Sequence, residues 1–262
     1  MSERTIRKRG KCMAPNLPVS RVVEQSPVVQ AIRRYEEDVR HHRVRPQLSQ
    51  CPRCGCRADG PAFFRCHERR ARTFLVVVAD LVYRVASVIT RWRCGRCRRT
   101  FTWYPPFAAP HKRYVLAEML ERCRAYVERD GQSYRKGVQE GGRPLFHEQP
   151  RAEQITAEST EEDKASERVP ALAHTTLYRW VSLLGGWGHT LRRAWNLIKQ
   201  KRPWAAGVRE VAGRRVAPGK FRSRARRRVL HGCRSLCVAE ALYGEIFGVS
   251  IFPNLATACG WR

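Results

Sequence analysis

Two short cysteine pairs carry the clearest chemistry in the sequence, Cys51-Pro-Arg-Cys54 and Cys94-Gly-Arg-Cys97. A C-x-x-C turn brings two thiols within a few ångströms of each other. Two such turns facing each other make the tetrahedral sulfur cage that Zn²⁺ prefers. One pair alone could be a redox dithiol. Two pairs, each with a tight-turn residue, point to metal, with Cys51, Cys54, Cys94 and Cys97 as the ligands. Cys56, Cys66 and His67 are spare donors and read as bystanders, although Cys66-His67 could replace a ligand or serve a second site.

Strands must hold the two turns face to face. Residues Arg72 to Ala79 and Leu81 to Trp92 are rich in Val, Phe, Tyr and Ile, which predicts two antiparallel strands. A third short strand, Phe101 to Tyr104, ends at Pro105-Pro106. Together they describe a zinc ribbon over 48–106, too small to bury much apolar surface and dependent on its metal for folding energy.

The remaining chain reads as helices. Ser26-Pro27 opens a helix whose apolar positions Val28, Val29, Ile32, Tyr35 and Val39 recur at helical spacing. It follows a basic arm, and the two make up 1–47. After Pro110 an amphipathic helix runs from Tyr114 to about Arg129, and a shorter one starts at Ser133. Residues 141–168 are acidic and poor in large apolar groups, and they read as a solvated insertion.

Order resumes near Pro170. Leu177, Val181 and Leu184 share one helix face, with Trp180 beside it, and Gly185-Gly186 reads as the cap. His174, Thr175, Tyr178 and Arg179 fall on the other face. That division suits a recognition helix, with an apolar side anchoring it and short polar groups plus an arginine facing a groove.

The segment 107–186 is therefore expected to be a helix-turn-helix carrying the 141–168 insertion. Residues 187–262 form a basic linker and a helical C-terminal region. Between 192 and 228 there are fourteen Lys and Arg against Glu210, which reads as a strap tracking phosphates through residues such as Arg192, Arg193, Arg224, Arg226 and Arg227. Cys233 and Cys237 stand four residues apart and could bind metal with His231 or Cys259. Burial on an apolar face is the stronger reading.

Charge sets the partner class. The 262 residues carry 51 Lys+Arg against 23 Asp+Glu, a net charge of +28. Such a surplus repels itself unless a polyanion neutralises it; nucleic acid is the first candidate and an anionic membrane surface the second. The start of the chain lacks the apolar region of a signal peptide, and no 18-residue apolar run appears. The expectation is no membrane association, reduced cysteines and a cytoplasmic location, nucleoid-associated in a bacterium.

Residues Arg91 to Phe101, with Cys94-Gly-Arg-Cys97 at their centre, resemble the end of the zinc ribbon in insertion-sequence transposases and their accessory DNA-binding proteins. Ala171-Leu-Ala-His-Thr-Thr-Leu-Tyr-Arg-Trp180 is similar to the recognition-helix pattern of that family, with Ala171 and Ala173 replacing a glycine and a serine. The resemblance spans about 48–185. It implies an α+β protein: a β zinc ribbon, then a mainly α helix-turn-helix domain, then a helical C-terminal region. It also implies Zn²⁺ as cofactor, duplex DNA as ligand, and a role in transposition or transcription regulation, with a separate catalytic transposase subunit as a possible partner.

No catalytic residue is expected. A two-metal transposase site needs three carboxylates on one sheet. The aspartates, Asp38, Asp59, Asp80, Asp130 and Asp163, are scattered, and none follows 163. An RNA-binding assembly factor is the alternative reading.

Overall fold

The computed structural model describes residues 21–60, 62–129, 133–139, 146–147, 171–205, 207–208 and 223–252. The basic arm, Cys259 and most of 141–168 and 209–222 lie outside them.

The organising element is a long antiparallel hairpin, β1 (Phe64–Val78) and β2 (Leu81–Cys94), closed by Ala79 and Asp80. Both turn residues have positive φ (48° and 65°), the conformation of a type I′ hairpin turn, which matches strand twist. A third strand, β3 (Thr100–Trp103), pairs antiparallel with β2. Strand β2 begins at Leu81 as expected, whereas β1 begins earlier than residue periodicity suggests, because it continues through the arginine-rich stretch before Arg72.

The hairpin buries different faces along its length. Near the tip and middle, Val85 and Ile89 point inward; near the cysteines, Trp92 and Cys94 do. Thr90 is buried at the changeover. On β1 the register shifts between Cys66 and Glu68, leaving His67 unopposed. One extra residue reverses which side chains face which layer, so this bulge keeps β1 in phase with its partner.

Helices α1 (Arg21–Glu24) and α2 (Pro27–Arg40) cover the middle of the hairpin. Val23, Val29 and Ile32 pack with Phe74, Val76, Val85 and Ile89. Pro27 sits in the first turn, as its fixed φ favours, and Ser26 is the N-cap residue without a side-chain cap bond. Arg33 is a cross-brace: it donates to Glu24 at 2.9 Å and to the Ala86 carbonyl at 3.3 Å. The hairpin is therefore not an isolated small ribbon relying on metal alone, because α2 supplies an apolar core along its middle.

The helical layer contains α3 (Leu116–Glu128), α4 (Tyr134–Gln139), α5 (His174–Gly185), α6 (Gly188–Lys201) and α7 (Arg224–Phe247). Their shared core holds Met119, Cys123, Leu177, Trp180, Val181, Leu184, Trp195, Leu230, Cys233 and Leu236, and Val82 joins it from the hairpin tip. Cys233 and Cys237 are buried in it, as expected for core cysteines.

One expectation needs correction and another is refined. Residues 188–201 and 224–228 are helical, so Arg192, Arg193, Arg224, Arg226 and Arg227 stand on ordered elements and not on a strap. Gly186 is the C-cap of α5, as expected, and Gly185 has a packing use besides: a Cβ there would lie 2.1 Å from the Val229 carbonyl oxygen, and one on Gly232 would lie 2.6 Å from the Gly185 carbonyl oxygen. The glycine pair lets α5 and α7 cross backbone to backbone.

Within the acidic stretch, Phe146–His147 forms β4, pairing in parallel with Leu81 and Val82. No helix among the described residues is long and apolar enough to cross a membrane.

Candidate metal centre and basic surface

The two C-x-x-C turns are built alike. In the first, the Cys51 N–H donates to the Cys56 carbonyl at 2.8 Å, and the Gly55 N–H donates back to the Cys51 carbonyl at 2.9 Å. In the second, the Cys94 N–H donates to Arg99 at 3.0 Å, and the Arg98 N–H donates to Cys94 at 3.1 Å. Each turn places its fourth residue after the leading cysteine at positive φ, Gly55 at 71° and Arg98 at 60°. Gly95 has another use: its N–H donates to the Phe63 carbonyl at 3.1 Å, where a Cβ would meet that oxygen at 3.0 Å.

Backbone amides also point at the sulfurs. The Arg53 N–H donates to Cys51 Sγ at 3.4 Å. Burial pushes the Cys51 thiol up to about 12, against the amides of Arg53 and Cys54. At Cys94 burial again opposes ionisation, but the amides of Cys97 and Arg96 and the neighbouring thiols leave its pKa below the ordinary thiol value. A thiolate that accepts backbone N–H bonds is ready for a cation.

Cys51, Cys54, Cys56 and Cys94 have sulfurs within 4.8 Å of one another. Cys97 adjoins them, its Sγ 4.0 Å from that of Cys51. Cys56 lies 3.7 Å from Cys94 and 3.0 Å from Cys54. A zinc–sulfur bond of about 2.3 Å gives a sulfur tetrahedron with edges of about 3.8 Å. The first two separations suit that cage, whereas 3.0 Å between Cys54 and Cys56 is too short for two ligands of one ion. Cys54 and Cys56 share a hydrogen bond instead: with Cys56 beside it, the Cys54 thiol is lowered to about 6, and Cys56 is raised to about 12. The donor set, all sulfur, fits zinc.

Sequence reasoning set Cys56 aside, although the third cysteine of Cys51-Pro-Arg-Cys54-Gly-Cys56 was its visible signal. Cys66 and His67 are exposed on β1, outside the thiol cluster. Around the cluster Phe64, Trp92, Phe101 and Trp103 form a small apolar shell. Trp92 Nε1 donates to Thr90 Oγ1 at 2.9 Å, which in turn contacts Tyr35 OH of α2 at 3.4 Å.

The other expected surface lies on α5. His174, Thr175, Tyr178 and Arg179 are all exposed, while Leu177, Trp180, Val181 and Leu184 are buried. Tyr114 fixes the approach to this helix through its hydroxyl bond to the Ala171 carbonyl at 2.9 Å and its edge contact with Trp180.

Arg226 belongs to a different arrangement. Its guanidinium lies 4.1 Å from the centre of the Tyr178 ring and 5.0 Å from that of Tyr134. It also donates to Tyr134 OH at 2.8 Å and to Ser182 Oγ at 2.6 Å. This side chain joins α4, α5 and α7, so its charge is spent inside the protein. Arg192, Arg193 and Arg224 are exposed and Arg227 is half-buried. Among the described residues the helix before α5 is the short α4, and residues 140–173 separate the two, so α4 and α5 are not joined by a tight turn.

No family model matches the chain, and neither a curated protein nor a solved structure matches it.

Proposed function

We propose that this chain is a zinc-dependent DNA-binding protein without catalytic residues of its own. Zinc is held by Cys51, Cys54, Cys94 and Cys97, and the exposed face of α5 lies against a major groove. The ion supplies folding energy and fixes both cysteine turns.

One observation carries the reading. With 51 cationic and 23 anionic side chains, complete internal pairing would still leave 51 − 23 = 28 positive charges without a counterion. The anionic side chains are already partly engaged, as in Arg33–Glu24 and Arg122–Glu118. A polyanion is the partner that satisfies such a surface, and phosphate release of counterions is its driving force. Arginine outnumbering lysine favours bidentate contacts to phosphate and guanine.

Asp38 pairs with Arg43 and Asp80 forms the hairpin turn, so the carboxylates have structural uses. A mobile-element or regulatory role, with catalysis on a partner subunit, rests on the resemblance of residues 91–101 and 171–180 to transposase-associated proteins. The test is competition of zinc-loaded protein between duplex DNA and a structured RNA of equal length. Preference for the duplex supports the reading, and preference for RNA replaces it with the assembly-factor alternative.

A further inference from the structure

The cysteine end of the hairpin carries arginines that the sequence reading did not single out. Arg53, Arg57, Arg65, Arg93, Arg96, Arg98 and Arg99 are all exposed there. Arg53 Nε donates to the Thr100 carbonyl at 3.3 Å, and Arg93 Nε donates to the Arg98 carbonyl at 3.0 Å. Each bond uses the inner nitrogen of an exposed side chain and leaves the two terminal nitrogens out of it. The terminal nitrogens of both forks have no partner among the described residues.

Two further observations point the same way. Arg65 stands directly opposite Arg93 across the β1–β2 ladder. Facing like charges destabilise a strand pair. The nearby Glu68 is already occupied by Arg70 at 2.9 Å and Arg91 at 3.7 Å. Arg98 keeps a side chain at φ 60°, where the matching position of the other turn uses Gly55. A non-glycine residue is strained in this conformation. Repulsion is thus retained on this surface, where an anion would relieve it, and an arginine is kept at a position that glycine fills more easily.

We infer that this end of the ribbon is a phosphate clamp for the backbone of duplex DNA, with Arg53 and Arg93 as its forks. The proposal rests on the DNA-binding reading above and adds a contact separate from α5. Both accepting carbonyls, of Arg98 and Thr100, lie just beyond the Cys94–Cys97 turn, so the metal-bound turn sets where the inner nitrogens are anchored. Arginine suits the task because its planar fork binds a phosphate through two parallel N–H bonds.

The experiment is a salt titration of duplex DNA affinity for the zinc-loaded full chain. It compares wild type, Arg53→Ala/Arg93→Ala, Arg53→Lys/Arg93→Lys, and a control, Arg43→Ala/Arg124→Ala, that removes two charges already paired with Asp38 and Glu128. Losing two phosphate contacts should reduce the slope of log K against log salt by about 1.8, so the deficit grows about twelvefold from 200 to 50 mM salt. The control should change the slope far less. The lysine pair should keep the slope but bind more weakly, and it decides the matter if the alanine pair loses zinc or its cooperative melt. A wild-type slope in the alanine pair, or wild-type affinity in the lysine pair, overturns the clamp while leaving DNA binding intact. Wild-type protein that ignores duplex DNA overturns the functional reading itself.

Discussion

Replacing the five ribbon thiols one at a time separates ligands from neighbours. Structural zinc is held with an apparent 10–16 kcal/mol, so each of four thiolates accounts for about 2.5–4 kcal/mol, or about 10²–10³-fold in affinity. Cys51→Ser should show that full loss, because its sulfur is buried at the head of the turn, where its own backbone bonds to Gly55 and Cys56 hold it. Cys97→Ser should behave likewise. Cys56→Ser should keep one zinc per chain, since its sulfur is only 3.0 Å from Cys54 and the two cannot share one ion. Cys54→Ser should fall between these cases: Cys56, 3.7 Å from Cys94, can move into the vacated corner. The double variant Cys54→Ser/Cys56→Ser should then show the complete deficit. Competition against a chromophoric chelator gives the affinities, and cobalt substitution reports four-sulfur coordination. If Cys56→Ser loses as much as Cys51→Ser while Cys97→Ser loses nothing, the ligand set is Cys51, Cys54, Cys56 and Cys94, and the symmetry of the two turns misleads.

Gly185→Ala should cost about 1–3 kcal/mol, because its Cβ meets the Val229 backbone and α5 must leave α7; Gly188→Ala, which meets nothing within 4 Å, is the control in the same thermal melt. Arg98→Gly should raise stability by about 1 kcal/mol through relief of the left-handed backbone and keep its zinc; a lower melting temperature would show that its side chain is needed for folding. Arg226→Ala should lower the melting temperature by breaking the Tyr134–Tyr178 sandwich. Arg179→Ala should leave the melt unchanged and relax sequence preference by about 1–3 kcal/mol, measured on a selected site against scrambled DNA; equal weakening on both would make it a phosphate contact.

Much of the local structure was legible. Apolar residues at helical spacing announced α2, α3 and α5, and Val, Ile and aromatic runs announced the hairpin, because burial of one face dictates those periods. The cysteine pairs were legible because a C-x-x-C turn brings its two thiols together whatever the rest of the fold does. What depended on contacts distant in sequence was not. The packing use of Gly185 is invisible until Gly232 is brought against it, and Arg226 reads as a surface charge until the Tyr134 and Tyr178 rings are brought to its guanidinium. The strand through Arg69 and Arg70 was hidden because an exposed edge carries no apolar alternation. Cys56 was visible as a third cysteine beside the first pair, but its place among the sulfurs depends on Cys94, which lies far away in sequence and 3.7 Å away in space.

The most direct test of zinc-dependent DNA binding is to measure duplex affinity of the same preparation as purified, after zinc is stripped by a chelator under reducing conditions, and after zinc is restored. Tight, salt-dependent binding should weaken on stripping and return on reloading, with the duplex preferred over structured RNA throughout. Affinity that is indifferent to zinc, or a preparation that binds duplex DNA no better than an uncharged competitor surface, would contradict it.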